Sequence, residues 1–306
     1  MNRRGEPGEE WVEPPRSSGP LAHGAGGPHF GPGWDNRPVG GELDDLQTVL
    51  AGFEGAVVAF SGGTDSTLVA AVAVRTLDRR TLAATAVSLS LAPGELSRAR
   101  SVASEVGIRH RAVRTRETEN DSYLSNGWDR CYHCRVEVYG ALRKSAAEEG
   151  LPDVLSGTHL DDLADFRPGL RAAREVGVRH PLVEAGFTKA DVRRAAATLG
   201  LSVADKPSSA CLSSRIAFGT RITVEELTRI GRAECVLRDL GFTQVRVRVH
   251  GEIARIEVAP TELERLAEPG IRSVAVHELE LLGYRYVTLD LEGFRSGSMN
   301  PPEEVL

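Results

Sequence analysis

The sequence predicts an α/β fold with a second, smaller α+β domain, and three observations lead to this prediction. Strand-like and helix-like segments alternate from about residue 43 to 205, which is typical of a parallel, Rossmann-like sheet covered by helices on both faces. A second series begins near residue 222 and runs helix, strand, strand, helix, strand. The first 42 residues are rich in Gly and Pro, which predicts a disordered tail. We therefore expect domains at 43–221 and 222–306.

The first domain is predicted from four apolar runs and the helical periods between them. The strands are "AVVAF" (56–60), "TLAATAVSLS" (81–90), "RHRAVRT" (109–115) and "DVLSGTH" (153–159). The helices are "TDSTLVAAVAVRTL", "GELSRARSVASEVG" and "TKADVRRAAATLG". In such sheets ligands bind at the carboxyl ends of the strands, near a switch in strand order.

The second domain is predicted to open on the helix "TVEELTRIGRAECVLRDLG", in which Thr223 and Glu226 have the spacing of a capping box. "TQVRVRVH" and "IARIEVA" alternate polar and apolar residues, which indicates two strands. "TELERLAEPG" is predicted as a helix and "YVTLDLE" as the last strand. Cys235 lies in the first of these helices and is predicted to be a buried core thiol.

Composition excludes several classes of protein. The net charge of −6 gives no electrostatic footprint for nucleic acid. No segment approaches the roughly 18 apolar residues of a membrane span, and the N-terminus lacks the apolar core of a signal peptide. Four cysteines in such a chain favour reactive, ligating or buried thiols over disulfides. We therefore expect a cytoplasmic protein without a membrane or nucleic-acid partner.

A run of small polar residues, "SGGTDST", separates the first strand from the helix that follows it. A strand-to-helix turn exposes backbone N–H groups, and the helix N-terminus adds partial positive charge, so this turn is suited to an anion. No Walker sequence follows, but the run resembles the PP-loop of the ATP pyrophosphatases, which bind ATP and split it into AMP and pyrophosphate. The expected ATP- and pyrophosphate-binding residues are Ser61, Gly62, Gly63, Thr64, Asp65, Ser66 and Thr67. Asp65 is expected to hold Mg²⁺ on the phosphates.

Three further cysteines suggest a second chemical function. "DRCYHCR" places Cys131 and Cys134 at a spacing that is common in metal sites. "KPSSACLSSRI" places Cys211 just after the α/β series, where it could fold back over the active face. These thiols could bind zinc with His133 or His159, or a [4Fe–4S] cluster with one iron left open. They could equally be unconnected thiols.

The chain resembles the LarE family of ATP-dependent sulfur transferases from about residue 43 to its C-terminus. The similarity is carried by "SGGTDST", "RCYHCR", "VRVRVHGEIARIEV" and the long stretch "SGTHLDDLADFRPGLRAAREVGVRHPLVEAGFTKADVRRAAATLGLSVADKPSSACLSSRI". The resemblance implies adenylation of the carboxylates of pyridinium-3,5-biscarboxylic acid mononucleotide and their conversion to thiocarboxylates for the nickel-pincer nucleotide. It also implies a homo-oligomer and partners among the other proteins of that biosynthesis.

The resemblance implies two possible sulfur sources. Family members with one site cysteine, matching Cys211, give up its sulfur and keep dehydroalanine. Members with three cysteines, matching Cys131, Cys134 and Cys211, hold a [4Fe–4S] cluster that delivers sulfide. This chain has all three, so it is predicted to be of the cluster type.

The resemblance also implies roles for individual residues, most of them outside the loop. Asp65, Cys211, Arg215 and Glu234 are expected to be catalytic, although the pattern alone makes Glu234 an ordinary surface charge. Substrate contacts are expected from Asp162, Arg167, Arg246 and Arg248. Arg246 and Arg248 alternate with valines, so both guanidinium groups point to one face of the strand. The pattern alone fits a solvated face equally well.

Three other functions compete with this interpretation. A PP-loop transfer-RNA thiolase also combines adenylation with three cysteines, but usually carries zinc-ribbon cysteines and a basic surface, which this sequence lacks. An amide-forming PP-loop ligase has no need of the three cysteines. A nucleotide-binding module without chemistry is disfavoured by the intact loop, and pyrophosphate release separates it from an enzyme.

Overall fold

The computed structural model describes residues 40–163, 168–206 and 210–295. The helices are α1 Leu43–Ala51, α2 Thr64–Leu77, α3 Glu95–Val106, α4 Asp121–Leu124, α5 Arg130–Glu148, α6 Pro168–Val176, α7 Pro181–Glu184, α8 Lys189–Thr198, α9 Val224–Asp239, α10 Leu263–Ala267 and α11 Pro269–Leu281. The strands are β1 Ala56–Ala59, β2 Thr81–Val87, β3 His110–Arg114, β4 Asp153–Leu155, β5 Val245–His250, β6 Ile253–Val258 and β7 Tyr286–Leu289. The tail predicted at 1–42 lies almost wholly outside the described residues. None of the helices in the described ranges combines the length and apolar character that a bilayer span needs.

The first sheet is parallel and has the strand order β3-β2-β1-β4. From β1 the chain builds outward through β2 to β3, then returns to the free side of β1 to add β4. The strand order therefore reverses between β1 and β4, and the crevice at their carboxyl ends is the expected ligand position. The predicted α/β fold with a parallel sheet is confirmed.

Helices cover both faces of this sheet because β1 is apolar at successive positions. Val58 faces a core that includes Leu68 of α2 and Val192 of α8. Val57 faces the other way, into a core with Leu142 of α5. A strand buried on both faces needs an unbroken apolar run, and "AVVA" supplies it.

The second sheet is mixed: β5 pairs antiparallel with β6, and β6 pairs parallel with β7. Helix α9 packs Leu227 and Leu237 against this sheet. The same core includes Tyr123 and Leu212, which precede the predicted boundary at residue 222. The two parts of the chain therefore share apolar packing, and Leu212 lies directly after Cys211.

Several elements differ from the sequence prediction. Strand β2 ends at Val87 and β4 at Leu155, so the polar residues that follow leave the sheet and line its carboxyl edge. The predicted helix "TELERLAEPG" stops at Ala267, because Pro269 begins the separate helix α11. Six of the described helices were not predicted: α1, α4, α5, α6, α7 and α11. Of these, α5 is the 19-residue helix whose first five residues include Cys131 and Cys134.

The helix start at α9 is only partly as predicted. The Thr223 hydroxyl accepts a hydrogen bond from the Glu226 N–H at 3.1 Å. The Glu226 carboxylate pairs with Arg229. The prediction that Cys235 is a buried core thiol is wrong, because this free thiol is only partly buried.

Candidate active site

The turn between β1 and α2 is built around Gly62. Its φ of +66° lies in the left-handed region, which glycine adopts without steric cost. A Cβ at this position would lie 3.0 Å from the Cα of Ala99 in α3. Both constraints hold the turn tightly against its neighbours, so its backbone is positioned before any ligand binds.

The hydroxyl groups of this loop are not equivalent. The Oγ atoms of Ser61 and Ser66 lie 3.2 Å apart, and Ser61 Oγ accepts from the Gly63 N–H at 3.3 Å. The Thr64 hydroxyl donates to the Val203 carbonyl at 2.6 Å, away from the loop. Thr67 Oγ1 is buried without a hydrogen-bond partner among the described residues. The two serines are therefore better placed than Thr64 to offer a hydroxyl to a phosphate.

The carboxyl end of β4 lies directly against the same loop. A Cβ on Gly157 would be 2.7 Å from the backbone N of Ser66. Only glycine allows two backbones to approach so closely. The switch point between β1 and β4 is therefore occupied by residues 61–67, the predicted PP-loop, which we call the phosphate loop.

Two lysines reach the loop. The Lys189 ammonium lies 2.5 Å from Asp65 Oδ1, and the Lys206 ammonium donates to the Gly62 carbonyl at 3.1 Å and pairs with Glu95 at 3.4 Å. Burial lowers the pKa of Lys206, against the opposing charge of Glu95. Sequence reasoning missed both lysines; their proximity to the loop depends on segments far along the chain.

A cavity of about 380 Å³ joins the phosphate loop to the three predicted cysteines. Its walls come from the carboxyl ends of β1 and β2, from α5 and from the segment around Cys211. The lining residues include Ser61, Gly63, Ala84, Ala86, Ser88, Ser90, Glu95, Glu117, Cys131, Cys134, Val138, Leu142, Lys206 and Cys211. The sulfur atoms and the phosphate loop therefore face one space.

The three thiols are free and differ in environment. Cys131 is exposed, whereas Cys134 and Cys211 are partly buried. Burial raises the pKa of the Cys134 thiol, and proximity to Cys211 raises it further. Across the described residues, no three His, Cys, Asp or Glu side chains form a group that could hold a metal ion.

The two histidines considered as zinc ligands each lie beside an aspartate. His133 Nε2 lies 3.1 Å from Asp129 Oδ2. His159 Nε2 lies 3.5 Å from Asp162 Oδ1, and Asp162 also accepts from the His159 backbone N–H at 3.2 Å. Asp162, a predicted substrate-binding residue, thus caps the turn after β4. The other such residue in this turn, Arg167, lies outside the described residues.

The segment that carries Cys211 is fixed on both sides. The Leu212 N–H donates to the Ser90 carbonyl at 2.8 Å, which attaches it to the loop after β2. The fully buried Ser213 hydroxyl is hydrogen-bonded to the Tyr123 hydroxyl. Cys211 is therefore held over the carboxyl edge of the first sheet.

Arg215 and Glu234 form a fully buried ion pair, with Arg215 Nε 2.8 Å from Glu234 Oε1. Arg215 also donates to the Cys211 carbonyl at 2.9 Å. Glu234 pairs with Arg238 at 2.7 Å and accepts from the Val247 N–H at 3.3 Å. The surface-charge interpretation of Glu234 is therefore wrong. The proposed catalytic role of this pair stays a prediction.

Arg246 and Arg248 are also buried, which rules out a solvated strand face. Arg248 pairs with the buried Glu257 at 3.0 Å and donates to the Ser214 carbonyl at 2.8 Å. Burial, together with the nearby positive charge of Arg215, lowers the pKa of Arg246 to about 10. Arg246 still carries its charge at neutral pH, in a region that is already electropositive.

Comparison with known proteins gives the same fold and a specific family. The family model described as NAD synthase matches residues 45–124. The pyridinium-3,5-bisthiocarboxylic acid mononucleotide synthase of Lactiplantibacillus plantarum is 40% identical over 84% of this chain and 91% of its own length. An uncharacterized protein of Synechocystis is 44% identical over 85% of the chain and 97% of its own length. An uncharacterized protein of Methanocaldococcus jannaschii is 26% identical over 78% of this chain and 90% of its own length. With a PP-loop domain and near full-length similarity to that synthase, the chain belongs to the LarE family of PP-loop proteins.

Proposed function

We propose that this chain is an AMP-forming, ATP-dependent sulfur transferase acting on pyridinium-3,5-biscarboxylic acid mononucleotide. The main support for this proposal is that one cavity joins the phosphate loop to Cys211. An enzyme that activates a carboxylate and then delivers sulfur needs both groups in one space. The name of the Lactiplantibacillus relative supports the thiocarboxylate product.

The first step activates a carboxylate, whose oxygens are poor leaving groups. A carboxylate oxygen attacks the α-phosphorus of ATP, the bond to the bridging oxygen breaks, and pyrophosphate leaves. The N–H groups around Gly63 and the hydroxyls of Ser61 and Ser66 bind the departing anion, and Lys206 adds positive charge at the loop. Asp65, partly exposed at the N-terminus of α2, fits Mg²⁺ as an oxygen ligand, and Lys189 must then give up part of its contact.

The second step replaces AMP by sulfur. A thiolate or hydrosulfide attacks the acyl carbon, the acyl–oxygen bond breaks, and AMP leaves with the electron pair. If Cys211 is the nucleophile, cleavage of its Cβ–S bond with loss of the Cα proton leaves dehydroalanine and the thiocarboxylate. No sulfur has to travel far, because Cys211 lines the cavity in which the carboxylate is activated.

The three cysteines are chemically suited to a [4Fe–4S] cluster. Among the described residues, however, no three potential ligands lie close enough together to hold a metal ion. Cys131, Cys134 and Cys211 are three free thiols around one cavity, and thiolates are the ligands that such clusters use. When bound, the cluster would supply exchangeable sulfide at its open iron. We propose this cluster source over sacrifice of Cys211, because all three cysteines are present.

The phosphate of the substrate requires fixed positive charge. Arg246 and Arg248 supply it from one face of β5, and the lowered pKa of Arg246 reflects both burial and neighbouring arginines. Buried guanidinium groups are suited to phosphate because their donors are fixed in a planar fork. We propose that they bind this phosphate and that Arg215 positions Cys211 through its carbonyl.

The test is a reaction with ATP, Mg²⁺, the biscarboxylic mononucleotide and sulfide under anaerobic conditions. We expect pyrophosphate and AMP to form only with the mononucleotide present, and mass spectrometry to show oxygen replaced by sulfur at each carboxylate. Pyrophosphate release with no sulfur in the product would instead indicate a ligase. Absence of any substrate-dependent pyrophosphate would contradict the whole proposal.

A further inference from the structure

Glu117 is a buried carboxylate with one oxygen left unpartnered. It lies in a short turn after β3 and is 2% exposed. Its Oε1 accepts hydrogen bonds from the hydroxyls of Ser88 and Ser90, the latter at 2.6 Å. Its Oε2 is buried and has no hydrogen-bond partner among the described residues. A buried charged oxygen without a partner is costly, so it requires an explanation.

This carboxylate lines the same cavity as the cysteines and the phosphate loop. The surrounding wall is largely apolar, with Ala84, Ala86, Val138 and Leu142 among the lining residues, and its two cationic side chains are Arg135 and Lys206. A charge in such a low-dielectric space acts strongly on whatever enters it.

A cationic group is the natural partner for this oxygen. The phosphates of ATP are anions and would be repelled, and the adenosine amino group offers a hydrogen bond but no positive charge. The substrate proposed above has a permanently positive ring nitrogen. Its ring must enter this cavity, because the carboxyl groups on the ring have to reach the sulfur at Cys211.

We propose that Glu117 recognises the cationic pyridinium ring of the substrate and so selects a charged ring over a neutral one. The proposal rests on the proposed function and adds a specificity residue to it. Ser88 and Ser90 hold Oε1 at the wall of the cavity, and Oε2 is the carboxylate oxygen without a partner among the described residues. Occupation by the ring would place a permanent positive charge beside this buried carboxylate.

The test compares two probes of nearly the same shape. Nicotinic acid mononucleotide has a cationic pyridinium ring, and its 1,4-dihydro form has a neutral ring. Binding of each, and of ATP, is measured by titration calorimetry with the wild type and with Glu117→Gln. We expect the substitution to weaken binding of the cationic probe by about tenfold or more, with little change for the neutral probe and ATP.

Two further variants separate charge recognition from a folding defect. Glu119→Gln removes the same charge from an exposed position of the same turn and should leave all three affinities unchanged. Glu117→Asp keeps the charge and should keep the preference for the cationic probe. Loss of that preference in Glu117→Asp as well as in Glu117→Gln would overturn the inference.

The remaining outcomes are also decisive. If Glu117→Gln binds both probes more weakly by the same factor, or binds the cationic probe as the wild type does, the inference is overturned and the proposed function remains intact. A loss confined to ATP overturns it as well, and assigns Glu117 to the adenosine amino group. Failure of the wild type to bind either probe contradicts both this inference and the proposed substrate.

Discussion

Arg215 connects helix α9 to the backbone of Cys211. Its Nε lies 2.8 Å from Oε1 of Glu234 on α9, and neither side chain is exposed. The same guanidinium donates to the Cys211 carbonyl at 2.9 Å. The position of the sulfur over the first sheet therefore depends on a carboxylate that α9 supplies.

Arg215→Ala should destabilise the protein by about 3–5 kcal/mol, because it leaves the carboxylate of Glu234 buried without its main partner. Urea denaturation measures the change. Arg221→Ala is the matched control: Arg221 pairs with Asp121 at 2.6 Å, but both side chains are largely exposed. Loss of that surface pair should cost less than about 1 kcal/mol. If both substitutions lower the free energy of unfolding by the same amount, the buried pair stabilises the protein no more than the surface pair does.

Asp65→Ala should abolish pyrophosphate release while the protein stays folded. Asp65 is partly exposed, and its main contact is the Lys189 ammonium, so its loss disturbs little packing. The expected defect follows from its predicted role in holding Mg²⁺ on ATP. Pyrophosphate release and circular dichroism are measured together, with Asp44→Ala at an exposed position of α1 as the control. Normal adenylation by folded Asp65→Ala protein would remove Asp65 from the catalytic site.

Arg246→Ala and Arg248→Ala should each weaken binding of the pyridinium mononucleotide more than binding of ATP. Each removes a charge-assisted contact worth about 1.5–3 kcal/mol. Titration calorimetry at a temperature where the variants are folded gives both affinities. Arg255→Ala is the control. Arg255 lies 3.2 Å from Glu257, the carboxylate that also pairs with Arg248, and it is not a predicted substrate ligand. If all three variants bind the mononucleotide like the wild type, Arg246 and Arg248 have only a structural role.

The free energy of unfolding should fall as the pH drops from about 6.5 towards 4. Burial lowers the pKa of His180 from 6.5 to about 4, and its Nδ1 is hydrogen-bonded to Ser156 at 2.7 Å. In this window the unfolded chain binds a proton at His180 that the folded chain does not, so acid favours unfolding. One such group contributes a slope of about 1.4 kcal/mol per pH unit.

Urea titrations at several pH values measure this slope. His180→Gln should flatten it, whereas His277→Gln, at an exposed position of α11, should not. An unchanged slope in His180→Gln would show that other groups account for the acid sensitivity.

The source of the sulfur is decided by intact-mass analysis after reaction. With a cluster on Cys131, Cys134 and Cys211, the side chains survive and added sulfide sustains more than one turnover. We expect a brown, oxygen-sensitive protein, and loss of both colour and turnover when any one of these cysteines is changed to alanine. Cys235→Ala, which removes a thiol outside the cavity, should retain both. A dehydroalanine at position 211 in anaerobic, iron-reconstituted protein would overturn the cluster source.

Local sequence patterns were enough to predict the main architecture. The apolar run at β1 and the helical period of α2 identify a strand followed by a helix, and Ser61 to Thr67 span the turn between them and the first turn of α2. These signals depend on residues close together in the chain, so they can be recognised without the fold. Helix α5 was missed because its first turn, with Cys131 and Cys134, is polar and resembles a metal-binding loop.

The sequence by itself determined the parallel α/β fold, the phosphate loop after β1 and the three cysteines. It also placed Arg246 and Arg248 on one face of a strand, because side chains alternate with a period of two. Only the tertiary structure decided that this face is buried, that Glu234 is paired with Arg215, and that Lys206 and Glu117 face the cavity. These relationships join residues from distant parts of the chain. Burial and ion pairing depend on which segments pack together, and local periodicity does not contain that information.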